Sequence, residues 1–249
     1  MPTGPDDRLA ALGDEFARLT RTLLAATTVG EALRQLVTAA AQLIPSASVV
    51  SITLRGPDGA FSTPVETDEV AIELDRIQYR TGEGPCVSAA RPDGPAYAES
   101  QDLVRDTEWP RFGPAAAEHG VGSVLATALL PDARPPELSG ALNVYARGRA
   151  VLTPEDRNIA LLLATHGSLA LATTRARALA EMQTAQLRQA IDSRDVIGQA
   201  KGILMQRRGV TADEAFDILR RTSQDLNVKL AELAGTLARR HTEIDLPAS

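Results

Sequence analysis

The stretch SRDVIGQAKGILMQRRGVTADEAFDILRRTSQDLNV, residues 193–228, determines how the C-terminal part of this chain folds. Its first half continues a series of apolar residues at helical spacing, which predicts one apolar helix face: Leu187, Ile191, Ile197, Ala200 and Leu204. Gly209 then follows two arginines, a combination that is typical of a helix C-terminus. Thr211 and Glu214 have the spacing of a capping box, which predicts that a second helix begins there.

A third short helix is expected after a break at residues 223–227, with Asn227 as its N-cap. Leu230, Leu233 and Leu237 would form its apolar face. The end of a long helix and two short helices therefore predict an all-α three-helix module.

The charge of this region differs from that of the rest of the chain. Residues 188–241 contain ten Lys or Arg against seven Asp or Glu, whereas the whole chain has a net charge of −6. A basic segment at the end of an acidic protein favours an anionic partner at that end.

Two segments of this region, residues 194–209 and 211–230, resemble the ANTAR domain, an RNA-binding antitermination module. The resemblance includes the signatures Ala200-Lys201-Gly202 and Ala215-Phe216, in order and at the separation typical of the family. It implies binding to paired RNA hairpins in nascent transcripts, which prevents formation of a terminator stem. The family pattern also places Phe216 in the core, so stacking of bases on it is not expected.

Basic side chains are the first candidates for contacts with RNA, because Lys and Arg neutralise phosphates. The candidates are Arg194, Lys201, Arg207, Arg208, Arg220, Arg221 and Lys229. Hydrogen bonds to base edges could come from Gln199, Ser223 and Asn227, although Asn227 could equally serve only as a helix cap. Gly198 and Gly202 each cost a helix about 1 kcal/mol relative to Ala. They indicate close approach of a neighbouring helix or of a ribose-phosphate backbone.

The first two thirds of the chain alternate between helical and strand patterns. After two amphipathic helices, strands are predicted at residues 47–54, 61–66, 96–99, 123–130 and 140–146, with helices at residues 70–77 and 109–118. A long hairpin loop, residues 131–139, would join the last two strands. This order is typical of an α+β domain with an antiparallel sheet flanked by helices.

Four motifs in this part resemble the GAF domain, in particular the GAF domains that precede ANTAR modules in actinobacterial regulators. They are residues 81–86 (TGEGPC), 108–112 (EWPRF), 122–125 (GSVL) and 140–145 (GALNVY). The resemblance implies a sensor that responds to a small molecule, a redox signal or a partner. The chain lacks the Asn-Lys-Phe-Asp-Glu pattern of cyclic-nucleotide-binding GAF domains, so that class of ligand is not expected.

A nearly continuous helix, or two abutting helices, is predicted from about Pro154 to Gln206. Thr153 is a good N-cap, and Pro154 and two acidic residues suit the first turn. A helix of this length favours pairing with a second chain as a coiled coil, and hence a homodimer. The expected division is a disordered N-terminus at 1–7, a sensor domain at 8–175, a helical linker at 176–187, an RNA-binding module at 188–243 and a tail at 244–249.

A ligand of the sensor would lie between the sheet and its covering loops, with Glu83, Cys86, Trp109 and Tyr145 as candidate wall residues. Cys86 has two readings. The N-terminus of a short helix at residues 85–90 would lower the pKa of its thiol and make it redox-responsive, or the thiol is buried and inert. For Trp109, a role in the core or in a dimer contact is favoured over a role in the ligand wall.

Several classes of function find no support in the residues. The three histidines lie in separate segments without metal-ligand spacing, and the chain contains neither a P-loop nor a dinucleotide fingerprint. Neither an enzyme nor a cofactor is therefore expected. No segment resembles a signal peptide or a membrane span, and a single cysteine suits a cytoplasmic protein. A DNA-binding regulator and a dimeric signalling protein without nucleic-acid binding remain as alternatives.

Overall fold

The computed structural model describes residues 5–130, 138–148 and 150–244. The chain divides into two compact units, residues 1–176 and 177–249. Most of the hairpin loop predicted at residues 131–139 lies outside the described residues, as do residues 1–4 and 245–249 of the two termini.

The first unit contains a five-stranded antiparallel sheet in the order β2-β1-β5-β4-β3. The strands are β1 (Val49–Arg55), β2 (Phe61–Glu66), β3 (Tyr97–Ser100), β4 (Val121–Leu129) and β5 (Ser139–Arg147). Helices flank the sheet, so the predicted GAF-like α+β architecture is confirmed. The alternation of apolar and polar residues located all five strands to within two residues at each described end.

The helices of this unit are α1 (Pro5–Ala25), α2 (Val29–Leu43), α3 (Val70–Thr81), α4 (Pro85–Ala89), α5 (Phe112–Glu118) and the start of α6 (Pro154–Arg208). α1 begins at Pro5, so residues 5–7 are helical and the prediction that they are disordered is wrong. α5 begins three residues later than predicted. The carboxylate of Glu83 accepts the backbone N–H groups of Arg111 and Phe112 and thereby caps the helix at that point.

The two faces of the sheet differ in polarity. Val50 and Ile52 of β1 and Leu142 and Val144 of β5 join the apolar core that includes residues of α1, α2 and α6. The residues between them point to the opposite face, because side chains alternate along a strand. That face is covered by α3, α4 and α5, and it carries buried polar side chains from both central strands.

The second unit contains the end of α6, α7 (Ala212–Asp225) and α8 (Leu230–Ile244). α6 is one continuous helix of 55 residues, as predicted. Its small core with α7 and α8 is formed by Ala200, Leu219 and Ala234, against which partly buried residues pack: Val196, Ile197, Leu204, Leu230, Leu233 and Leu237. Thr211 and Glu214 form both hydrogen bonds of the predicted capping box.

Asn227 is not the N-cap of the third helix, so this prediction is wrong. Its φ of 51° is left-handed, and its backbone N–H donates to the Gln224 carbonyl at the end of α7. α7 continues to Asp225, and Asn227 is therefore used to reverse the chain after that helix, a conformation that asparagine tolerates. The Lys229 carbonyl accepts the backbone N–H groups of Glu232 and Leu233 in the first turn of α8.

Across the described residues, none of the helices combines the length and apolar composition that spanning a bilayer requires.

Candidate nucleic-acid interface and sensor site

The basic candidates of the second unit lie on α6, on α7 and in the loop before α8. Six are exposed: Arg194, Arg207, Arg208, Arg220, Arg221 and Lys229. Lys201 is half-buried beside α7. An ion pair of 2.9 Å joins Arg220 to Asp217, so part of its charge is compensated within α7. The exposed cations give the end of this unit a surface that suits phosphates.

Phe216 lies at the surface of α7, and the expectation that it belongs to the core is wrong. Ala215 and Leu219 occupy the buried positions of the helix, whereas Phe216 remains 37% exposed. The Nζ atom of Lys201 lies 5.8 Å from the centre of the Phe216 ring, a cation–π arrangement. An exposed aromatic ring and an ammonium group therefore lie side by side on this surface.

Gly198 and Gly202 are exposed on α6, one turn apart. Apart from the neighbouring backbone of α6 itself, a Cβ atom added to either residue would meet no atom of the described chain within 4 Å. Packing against a neighbouring helix of the same unit therefore does not explain these glycines. Gly235 of α8 differs, because its Cβ would lie 3.6 Å from Val196 Cγ1.

Two of the three candidates for base-edge contacts have roles in the loop between α7 and α8. The hydroxyl of Ser223 donates to the Val228 carbonyl at 2.6 Å, and Asn227 supplies the left-handed turn. Gln199 is exposed on α6, next to Gly198. Of the three, Gln199 is the one whose side chain the loop does not require.

A buried carboxylate lies in the first unit, between the sheet and α3. Asp75 Oδ2 accepts hydrogen bonds from Ser51 and Thr63, each at 2.9 Å, and Oδ1 accepts one from Tyr145 at 2.6 Å. Burial raises the pKa of Asp75 to about 6, although these hydrogen bonds oppose the shift. The polar cluster is defined here as Ser51, Thr53, Thr63, Asp75, Gln78, Tyr79, Asn143 and Tyr145.

Gln78 connects two of the predicted ligand-wall residues, Cys86 and Tyr145. Its Nε2 donates to the Tyr145 hydroxyl, and its Oε1 accepts the backbone N–H of Cys86, both at 3.0 Å. Burial raises the pKa of the Cys86 thiol well above its usual value. Full burial and a helix of only five residues therefore support the reading of a buried, inert thiol.

Asn143 is fully buried in the middle of β5 and joins the polar cluster through its amide nitrogen. Nδ2 lies 3.1 Å from Ser51 Oγ and 2.9 Å from Thr53 Oγ1. Its Oδ1 is buried and has no hydrogen-bond partner within the described residues. Because most buried polar atoms have a partner, this oxygen distinguishes Asn143 from the other residues of the cluster.

The other two candidate wall residues lie elsewhere. Glu83 is in the loop before α4, where its carboxylate caps α5 and pairs with Arg111 Nε at 3.2 Å. Trp109 is 3% exposed and packs in a core cluster with Phe112, and it also borders an open cleft of about 680 Å³ beside β3. The structure therefore brings together Cys86 and Tyr145, but not Glu83 and Trp109.

The sequence interpretation missed Asp75 and Asn143. Their signal is polar residues at alternate positions of two otherwise apolar strands: Ser51 and Thr53 in β1, and Asn143 and Tyr145 in β5. Such a pattern indicates a polar stripe on a buried face. Among the described residues, no group of three or more His, Cys, Asp or Glu side chains could hold a metal ion.

Comparisons with known families identify both parts of the chain. Residues 26–172, more than half of the chain, match the GAF domain family, and residues 185–237 match the ANTAR domain. A comparison with curated proteins found no match.

Solved structures share the fold at low sequence identity. Bacteriophytochrome RpBphP3 from R. palustris matches with a TM-score of 0.55 and 11% identity over 84% of this chain and 46% of that chain. Its chromophore-binding domain matches with a TM-score of 0.50 and 11% identity, over 68% of this chain and 63% of that one. This chain thus spans less than two thirds of both bacteriophytochrome chains.

A domain described as part of a two-component sensor histidine kinase from Sinorhizobium meliloti 1021 has a TM-score of 0.50 and 14% identity. The match covers 63% of this chain and 99% of that domain. The family matches and the shared sheet architecture lead to one conclusion. The chain belongs to the GAF domain family and carries an ANTAR domain after it, as a GAF–ANTAR regulator.

Proposed function

We propose that this protein is a signal-responsive transcription antiterminator, in which the GAF domain controls a dimeric ANTAR module that binds hairpins in nascent RNA. The exposed cations of the second unit, together with the ANTAR match, carry the proposal. GAF and ANTAR domains are regulatory rather than catalytic, which supports a regulator over an enzyme.

The surface chemistry of the ANTAR module suits RNA. Its arginines and lysines would neutralise phosphates, which makes binding strongly dependent on salt. Phe216, exposed beside Lys201, offers a face on which an unpaired loop base could stack, and each such stack contributes about 1–3 kcal/mol. Unpaired bases are a feature of hairpin loops and not of regular duplex DNA, which favours RNA over DNA.

Exposed apolar residues on α6 support self-association. In the second unit, the described chain leaves large apolar side chains more than half exposed: Leu179, Met182, Leu187 and Ile191. Burial of such surface between two chains contributes about 25 cal/mol per Å². A dimer would also present two ANTAR modules, and linkage of two binding sites raises the affinity for an RNA with two hairpins.

The sheet of the GAF domain provides a route from sensor site to α6 within the first unit. Asn143 faces the polar cluster, whereas its neighbours Leu142 and Val144 pack in the core that includes Ile159 and Leu163 of α6. A ligand that moved Asn143 would therefore also move Leu142 and Val144, which pack in the same core as the start of α6. In this way the signal would set the pairing of two long helices.

Charge reversal tests the RNA-binding surface. The double variant Lys201→Glu, Arg208→Glu is expected to lose at least about 100-fold in affinity for hairpin RNA, since each reversal replaces attraction to a phosphate by repulsion. Arg76→Glu, Arg105→Glu in the first unit changes the net charge equally and should bind like the wild type. Equal loss in both variants would mean that net charge alone governs binding.

A DNA-binding regulator and a dimerisation protein without nucleic-acid binding predict different results. The first would prefer duplex DNA to hairpin RNA of matched length. The second would keep its function after the reversal of Lys201 and Arg208. A monomer, both free and with RNA, would overturn the dimeric mechanism.

A further inference from the structure

We propose that the polar cluster of the GAF domain binds a small cationic molecule with N–H donors, of the alkylammonium or amidinium class. This inference rests on the proposed sensor function and specifies the chemistry of its ligand. Three features of the cluster support it: an uncompensated carboxylate, an acceptor without a donor and a cover that can be displaced.

The first feature is the charge of Asp75. Its carboxylate accepts hydrogen bonds from the hydroxyl groups of Ser51, Thr63 and Tyr145 and a longer one, of 3.4 Å, from the side-chain amide of Asn143, and all four donors are neutral. The titratable groups that interact with it are the tyrosines Tyr79 and Tyr145, Cys86 and Glu66, none of which supplies a positive charge. A buried carboxylate without a cation is costly, so this site is electrostatically suited to a positively charged guest.

The second feature is Oδ1 of Asn143, which is fully buried without a partner in the described part of the chain. The amide nitrogen of the same side chain is already used, because it donates to the hydroxyls of β1 and, at 3.4 Å, to Asp75 Oδ1. The residue opposite Asn143 on β4 is Ala126, and Ala126 clusters with Cys86 and Ala141. Asn143 Oδ1 therefore requires an N–H or O–H donor from a bound molecule. The apolar neighbours of Asn143 would contact a small apolar part of the same molecule.

Together these features distinguish among classes of ligand. An anion would be repelled by Asp75, and a neutral molecule would leave its charge uncompensated. An ammonium or amidinium group supplies both a charge for Asp75 and N–H donors for Asn143 Oδ1.

The third feature is the element that covers the cluster. α4 has only five residues, and the loop before it turns at Gly82 and Gly84, whose φ values are 69° and 133°. Glu83 fastens this loop to α5 through an ion pair with the exposed Arg111 side chain and through hydrogen bonds from the backbone N–H groups of Arg111 and Phe112. Because the ion pair contributes little to stability, opening of this cover would cost mainly the two hydrogen bonds and the apolar packing of α4.

The chain offers a direct spectroscopic test, because it contains three asparagines, Asn143, Asn158 and Asn227. The full-length protein would be labelled with ¹⁵N-asparagine and titrated with acetamidinium chloride. Acetamide, its neutral isostere, and sodium chloride at equal ionic strength serve as controls. The side-chain amide signal of Asn143 should shift saturably with acetamidinium alone, while Asn158 and Asn227 provide internal references.

Asp75→Asn removes the charge and should weaken acetamidinium binding at least tenfold, whereas Asp102→Asn at an exposed position should leave it unchanged. If Asp75→Asn fails to fold, the comparison of acetamidinium with acetamide in the wild type still shows whether the site requires a cationic ligand. Equal shifts with both probes, or no shift up to about 10 mM, where a millimolar site is mostly filled, would overturn the proposal. Intact hairpin binding in the same sample would show that only the ligand class has failed.

Discussion

Alanine at Gly202 provides a test in which stability and RNA binding should change in opposite directions. The residue lies in the exposed interior of α6, and an added Cβ would meet no atom within 4 Å. Without a steric penalty, the difference in helix propensity remains, and it favours alanine by about 1 kcal/mol. Gly202→Ala should therefore stabilise the isolated protein by about that amount, and Gly198→Ala by a similar amount.

Urea denaturation can assign this gain to the correct unit. Trp109 is the sole tryptophan of the chain and lies in the first unit, so its fluorescence follows the unfolding of that unit. Circular dichroism follows the helices of both units. The substitution should shift the circular-dichroism transition of the second unit and leave the fluorescence transition unchanged.

Affinity for hairpin RNA should fall in the same variant. Glycine on an exposed helix face permits close approach of a ribose-phosphate backbone. The methyl group of alanine would increase the distance between the RNA backbone and α6. We expect a loss of about tenfold, equivalent to about 1.4 kcal/mol. Gly235→Ala is the matched control in α8, because its Cβ would make only ordinary contacts at 3.5 and 3.6 Å. Unchanged RNA affinity in Gly202→Ala would refute the reasoning about close approach, and a loss of stability would refute the reasoning about open space.

Three further predictions concern the sensor site and the dimer. The pKa of Asp75 rises from 3.8 unfolded to about 6 folded, so the folded state binds more protons between these values and stability falls as pH rises through them. Asp75→Asn should remove this slope and stabilise the first unit at pH 7.5, by up to about 3 kcal/mol from the size of the shift, as measured by urea denaturation at pH 5 and pH 7.5. Cys86 should react slowly with a thiol reagent in the native protein, and Arg111→Ala should accelerate the reaction by loosening the loop before α4; an unchanged rate would show that the ion pair does not hold the cover. Ile191→Glu should convert the proposed dimer to a monomer in light scattering, whereas Val104→Glu, at a similarly exposed apolar position of the first unit, should not.

The parts of the fold that the sequence predicted are those that depend on neighbouring residues. The Thr211–Glu214 capping box, the continuous α6 and the strands of the sheet each follow from patterns within a few residues. The start of α5 could not be predicted from neighbouring residues, because Glu83, which caps this helix, lies 29 residues before Phe112. Asn227 was misread because an asparagine suits both the start of a helix and the turn after one.

The sensor site was the least predictable part for the same physical reason. Asp75, Asn143 and Ser51 come from three separate elements, and the sheet register and the packing of α3 bring them together. The prediction for Phe216 was wrong because the helical pattern allows this residue either in the core or at its margin, and the structure places Leu219 in the core instead. The strand alternation did contain a signal, since polar residues occupied the face opposite Val50 and Ile52.

The central claim is that a dimer of this protein binds hairpin RNA through its ANTAR module. Competition binding at one fixed salt concentration tests it most directly, with a labelled RNA of two hairpins competed by single-hairpin RNA or by duplex DNA of matched length. Two protein chains should bind each two-hairpin RNA, the single hairpin should compete about 100-fold less well, and the duplex DNA should compete least. Equal competition by duplex DNA, or full affinity for the single hairpin with one protein chain bound, would contradict the account.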